Sequence, residues 1–137
     1  MRWLTVYLVC LGGFLAMDAV WLGLVSPPVY QQTLGPLLLD GFRAVPAILF
    51  YLLYIAAIVV FVLPPVRRAA VWTAVPRGAF FGLCAYGTYD LTNQAVLRAW
   101  TTELTIVDMA WGAVVTAAAS LLAAAVDRRF RPRPPAP

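Results

Sequence analysis

Residues 104–126 read LTIVDMAWGAVVTAAASLLAAAV and are followed at once by Asp127-Arg128-Arg129. This stretch holds one charged residue, Asp108. A bilayer core about 30 Å thick is crossed by about 20 apolar residues in a helix, so the run is long enough to span. Working outward, three more runs have the same character. They cover about 3–25, closed by Ser26-Pro27-Pro28, then 46–63, before Pro64-Pro65, and then 73–97. Every proline lies outside or at the edge of a run, and Pro46 and Pro76 suit first helical turns. Alternating segments of about 10 residues, the mark of a membrane β-barrel, are missing from the sequence.

Composition agrees. Of 137 residues, 63% are hydrophobic and 12% charged, and the mean hydropathy is +0.83. A soluble domain averages about 45–50% apolar and about 25% charged, and disorder needs the opposite imbalance. The expected fold is all-α: a four-helix transmembrane bundle forming one domain over 1–131. A short Pro-rich tail, 132–137, is expected to be disordered.

The arginines orient the bundle. Arg2 precedes the first run, Arg67, Arg68 and Arg77 flank the second link, and Arg128, Arg129, Arg131 and Arg133 follow the fourth run. Only Arg43 and Arg98 fall on the other side. The positive-inside rule then places both termini in the cytoplasm. Trp3, Trp72 and Trp100 fall near the interfaces, where aromatic belts form. The first run continues through Trp21-Leu22-Gly23-Leu24-Val25 with no small-x-small cleavage site, so it reads as a retained span rather than a signal peptide. The link 27–45 is too apolar for a solvated loop. It is expected to form a partly helical lid on the outer face, with Tyr30 and Leu37-Leu38-Leu39 turned toward the bundle. The competing reading is a simple interfacial anchor.

The chemistry is confined to one layer. The chain has no His, and so no imidazole for general-base work or zinc binding. Cys10 and Cys84 sit inside apolar runs and read as small buried hydrophobes rather than a disulfide pair. Three of the six acids, Asp18, Asp90 and Asp108, lie inside runs. Each costs about 2.5–3.5 kcal/mol at a helix centre, so they need partners or a purpose. Helix direction places all three in the outer half of the bilayer. Tyr86, Tyr89, Asp90 and Asn93 share a helical stripe with Gly82, while Trp21 is one turn from Asp18 and Trp111 one turn from Asp108. Tyr51 and Tyr54 come to the same level from the second helix. Three carboxylates in one low-dielectric layer do not all ionise without a compensating cation, so at least one is expected to carry a proton at neutral pH. Asp90 is the expected hub, oriented by Asn93 and Tyr54. The bland alternative is a closed hydrogen-bonded cluster that only fixes helix register.

Gly112, Thr116, Ser120 and Ala124 recur every four residues, and Gly78 and Gly82 repeat the spacing on the third helix. Small residues let helices approach closely. Packing inside the bundle is the expected use, and a homo-oligomer face the alternative. Thr116 and Ser120 are expected to bond their own backbone.

The segments Met17-Asp18-Ala19-Val20-Trp21-Leu22-Gly23, Phe50-Tyr51-Leu52-Leu53-Tyr54, Ala85-Tyr86-Gly87-Thr88-Tyr89-Asp90-Leu91-Thr92-Asn93 and Val107-Asp108-Met109-Ala110-Trp111-Gly112 resemble the signature of a bacterial family of small four-span membrane proteins. That family is known only as a domain of unknown function. The resemblance covers nearly the whole chain and is most specific at Tyr89-Asp90-Leu91-Thr92-Asn93. It implies the bacterial inner membrane and four helices, and no established activity.

Three functions fit these residues. The first is a pocket, open outward or laterally, that binds or carries a small cation, a proton or an amphiphile; aromatic faces beside carboxylates suit an organic cation. Its expected ligand-binding residues are Asp18, Trp21, Tyr51, Tyr54, Tyr86, Tyr89, Asp90, Asn93, Asp108 and Trp111. The second is a membrane enzyme acting on a lipid or isoprenoid-like substrate, with Asp18, Asp90 and Asp108 as candidates for acid and base. The third is a structural or assembly subunit with the acids as helix glue. Membrane lipid is an expected partner and a small molecule or lipid the expected ligand. Nucleic acid is not, since no basic stripe marks a folded polar surface. No cofactor and no metal site is expected; oxygen ligands alone would suit Mg, Ca or Mn at most.

Overall fold

The computed structural model describes residues 2–67 and 69–131; Met1, Arg68 and the tail 132–137 lie outside the described residues. The chain is helical and contains no strand among the described residues. Helix α1 spans Arg2–Leu37 and α2 Ala44–Val66. A 3-10 turn, Val71–Thr73, leads into α3, Ala74–Val96, and α4 spans Thr102–Arg129. Three of these, α1, α2 and α4, are long and apolar enough to cross a membrane. Helix α3 has the length, 23 residues, but Arg77, Asp90, Asn93 and Gln94 with three glycines dilute its apolar character.

The first apolar run does not close at Ser26-Pro27-Pro28. The helix passes through both prolines and ends at Leu37, because a π-turn over Trp21–Val25 precedes them. The Ser26 N–H donates to the Trp21 carbonyl, and the helix resumes with the proline pair in its first turn. A proline inside a helix removes a donor and clashes with the carbonyl four residues back. Widening the preceding turn relieves both. Helix α2 repeats the device: a π-turn over Ile58–Val62, with Leu63 N–H donating to Ile58, precedes Pro64-Pro65, and the helix reaches Val66.

The link 27–45 is therefore helical for much of its length, as expected, and of the residues expected to turn toward the bundle Tyr30 does so. Residues 26–34 extend α1, and Tyr30 packs with Leu34 against Trp100 and Leu104 at the start of α4. Leu37, Leu38 and Leu39 instead stand exposed, at 67%, 41% and 59%. The 3-10 turn Gly35–Leu37 ends the rod, and the chain leaves it extended at Leu38.

Helix α1 buries one row, Val6, Cys10, Phe14 and Asp18, spaced by four. The row meets Ile55, Ile58 and Val62 of α2 and Val115, Ala119 and Ala123 of α4, forming the main core. Outward, Leu4, Leu8, Leu53, Phe61, Phe80 and Val114 are exposed. An apolar exterior around a core with buried acids is the arrangement a lipid solvent favours. Of the two cysteines, Cys10 is buried as expected, whereas Cys84 is exposed on α3. Trp100 is not a belt residue: it is 6% exposed and its Nε1 donates to Thr105.

Helices α3 and α4 pack closest. Gly78 lies against Ser120 and the Thr116 carbonyl; Gly82 lies against the Gly112 carbonyl and the Thr116 side chain. A Cβ at either glycine would occupy space those atoms already fill. The small-residue stripe thus serves contact within the chain, as expected.

Candidate functional site

The α3 row Gly78, Gly82, Tyr86, Asp90 runs antiparallel to the α4 row Asp108, Gly112, Thr116, Ser120. The glycines bring the backbones together, the Tyr86 ring lies over Gly112, and the next pair along is Asp90 with Asp108. Asp90 is fully buried, and among the described residues no hydrogen-bond donor reaches either of its oxygens. The polar group it faces is the Asp108 carboxyl. Asp108 is 5% exposed and also faces the Tyr30 hydroxyl, carried in by the extension of α1. Two carboxyls are both acceptors when ionised, so a facing pair coheres only with a proton or a cation between them.

Asp18 stands apart chemically while lying near the pair. Its Oδ2 accepts from the Tyr51 hydroxyl at 2.5 Å and its Oδ1 from Trp111 Nε1 at 3.2 Å. Trp111 is held in turn by Trp21, stacked at 4.6 Å and 3°. Asp18 is thus a satisfied carboxyl that locks α1, α2 and α4 together. The expected partners of Asp90 are engaged elsewhere. The Tyr54 hydroxyl pairs with Thr116 Oγ1 at 2.8 Å, so Thr116 does not bond its own backbone as its sequence position predicts. Ser120 Oγ is buried with no hydrogen-bond partner among the described residues. Asn93 faces the Tyr89 hydroxyl, and the Tyr89 ring meets Trp100 edge-on at 5.4 Å.

A cavity of about 380 Å³ adjoins this layer, lined by Phe50, Tyr54, Ala85, Tyr86, Tyr89 and Asp108. Its walls are aromatic, and Tyr54 meets Tyr86 at 6.3 Å and Phe81 at 5.8 Å across the gap between α2 and α3. Asp108 is the acid on its wall; Asp90 lies behind it. Phe50 and Tyr89, at the rim, are 43% and 54% exposed on the outer surface of the bundle.

With this geometry, the profile of the predicted membrane protein family DUF2177 matches residues 3–125. The chain belongs to this family. As a DUF2177 member it is a predicted membrane protein, in agreement with its apolar helices. No curated protein and no solved structure matches it. The matched region takes in the Asp18, Asp90 and Asp108 segments and the whole small-residue contact between α3 and α4.

Sequence reasoning missed a second polar cluster in this DUF2177 chain. Asp127, 1% exposed, takes Arg2 Nε at 3.3 Å and Arg67 at 3.5 Å on Oδ1, and Arg131 at 2.8 Å on Oδ2. Arg131 also donates to the Arg67 carbonyl, and the Arg67 guanidinium lies 3.6 Å from the centre of the Trp3 ring. The usable signal was the isolated acid among arginines, four residues before Arg131 on the same helix.

Proposed function

We propose that the protein binds or carries an amphiphile, whose polar head meets Asp108 and whose hydrocarbon body lies among Phe50, Tyr54, Tyr86 and Tyr89. The observation that carries this reading is Asp108 as the acid on the wall of a cavity lined otherwise by Phe50, Tyr54, Ala85, Tyr86 and Tyr89. A volume of about 380 Å³ falls in the range of small-molecule sites, about 300–1,000 Å³. Aromatic faces beside one carboxyl favour a head that is cationic or donates hydrogen bonds. Exposure of Phe50 and Tyr89 at the rim favours a ligand that arrives from the bilayer. Asp90, behind Asp108, shares a proton with it when the cavity is empty; a cationic head releases that proton. Small cations and protons alone would need no aromatic cavity of this size.

The membrane placement belongs to the same proposal. All four helices cross, α3 as the most polar, shielded by its close contact with α4. Both termini lie on the cytoplasmic side of a bacterial inner membrane, where eight of ten arginines fall.

The facing carboxyls also support a second reading, acid–base catalysis on a lipid or isoprenoid-like substrate, since such a pair can give and take a proton. Native mass spectrometry of protein purified from its membrane tests the main reading. Wild-type protein should retain an amphiphile of constant mass, and Ala85→Phe, which fills the cavity, should release it. Wild-type protein free of bound amphiphile would count against binding. An amphiphile recovered chemically altered after incubation would favour the enzyme.

A further inference from the structure

We infer that the arginine-rich end of the bundle holds a second binding site, for the phosphodiester headgroup of an anionic lipid. It is independent of the carboxyl pair and lies at the opposite end of α4.

The charges at this end do not cancel. Of the described arginines there, Arg2, Arg67 and Arg131 converge on Asp127, whose two oxygens they saturate. Every other acid of the chain, Asp18, Asp40, Asp90, Glu103 and Asp108, belongs to the mid-membrane layer or the far end. Arg128 and Arg129 are exposed and form no ion pair among the described residues. In the last turn of α4 they gain from the helix dipole, which accounts for their presence but not for the groove beside them.

That groove, about 430 Å³, is lined by Val71, Ala125, Arg128, Arg129 and Arg131. One wall is apolar and the other carries guanidinium groups. The Asp127 cluster holds Arg131 in place, so at least one cation is positioned before any ligand arrives. The groove sits where the apolar run of α4 ends at Val126, and Trp72, 72% exposed, stands next to Val71. Exposed tryptophan at the end of a span marks headgroup depth. The basic residues here are all arginine, the side chain whose planar fork matches phosphate oxygens two at a time. A phosphate flanked by hydrocarbon fits this arrangement: the apolar wall takes the glycerol and upper acyl carbons, and the arginines take the phosphate. Basic pockets beside membrane-spanning helices hold anionic headgroups in this way.

The test uses full-length protein in detergent, stripped of lipid and offered equal amounts of phosphatidylglycerol and phosphatidylcholine. Bound lipid is read by native mass spectrometry. Wild-type protein should prefer phosphatidylglycerol. Arg128→Gln with Arg129→Gln should weaken that preference by about fivefold for each arginine lost, the equivalent of about 1 kcal/mol each near a membrane surface. Arg43→Gln with Arg98→Gln, at the far end, should leave it unchanged. Arg128→Lys with Arg129→Lys keeps the charge but loses the fork, and should give an intermediate preference. Equal retention by wild type and the glutamine pair would overturn the site. Full retention by the lysine pair would reduce it to general surface charge and overturn the groove. Inorganic phosphate at millimolar concentration should not displace the lipid; displacement would point to a soluble phosphate ester and overturn the lipid assignment.

Discussion

Asp90 of α3 faces Asp108 of α4 with no donor among the described residues on either Asp90 oxygen, one helical turn beyond the point where Tyr86 covers Gly112. The carboxyl pair is thus the end of a close-packed helix contact. Glycines at one end let the backbones approach, and the approach forces two acids together at the other.

Replacing Asp90 by asparagine supplies a donor where a shared proton is proposed. Asp90→Asn should fold and insert normally, with thermal stability equal to or above wild type, because a neutral amide can bond an ionised Asp108. Amphiphile retention should fall, since the amide locks Asp108 away from a ligand head. Thermal unfolding in detergent, paired with native mass spectrometry, checks both halves. A variant that retains its ligand fully would leave the pair with only a register-fixing role.

Gly82→Ala places a methyl group against the Gly112 carbonyl and Thr116. Backbone cannot yield as a flexible side chain does, so α3 must move away from α4 at a cost of about 1–3 kcal/mol. The same movement separates Asp90 from Asp108. Unfolding titrations should therefore report lost stability and lost ligand together. Gly12→Ala, whose Cβ meets nothing within 4 Å, is the matched control and should change neither.

Asp127→Ala leaves Arg2, Arg67 and Arg131 facing one another without a counter-charge. Removing one partner of a buried ion pair costs about 3–5 kcal/mol, and the partial exposure of these arginines places this one near the lower end. Equilibrium unfolding should show the loss, while ligand retention in the distant cavity should persist in the folded fraction. A neutral effect on stability would mean the cluster does not tie the helix ends together.

How much of this was legible beforehand differs from residue to residue. The helices were, because apolar runs bounded by charge and proline are set by bilayer thickness. That Asp18, Asp90 and Asp108 come near one another followed from helix direction and periodicity alone. Their division of labour did not. Tyr51 and Trp111 converge on Asp18 from helices far apart in sequence, and nothing in local spacing shows that they satisfy it and leave Asp90 without a donor. Pro27 and Pro28 read as a helix end because proline usually ends one. The π-turn that lets the helix continue has no local sequence mark except its repetition before Pro64 and Pro65. Asp127 looked like a flanking charge, and its burial depends on Arg2 and Arg67 arriving from two other helices.

Placement in the membrane has its own check. Phe130→Cys puts a reactive thiol at an exposed position just beyond α4. In intact cells, with Cys10 and Cys84 replaced by serine, a membrane-impermeant thiol reagent should label it only after the cells are opened. Labelling from outside would invert the proposed topology.

Binding of a long-chain alkylamine, compared with the alkane of equal length, measures the central claim most directly. Isothermal titration in detergent should show the amine binding wild-type protein at least about tenfold tighter than the alkane, a difference of about 1.4 kcal/mol. Asp108→Asn should remove that difference, and Ala85→Phe should abolish binding of both. Equal affinity for amine and alkane in wild type, or an amine affinity untouched by Asp108→Asn, would contradict an acid-headed aromatic pocket.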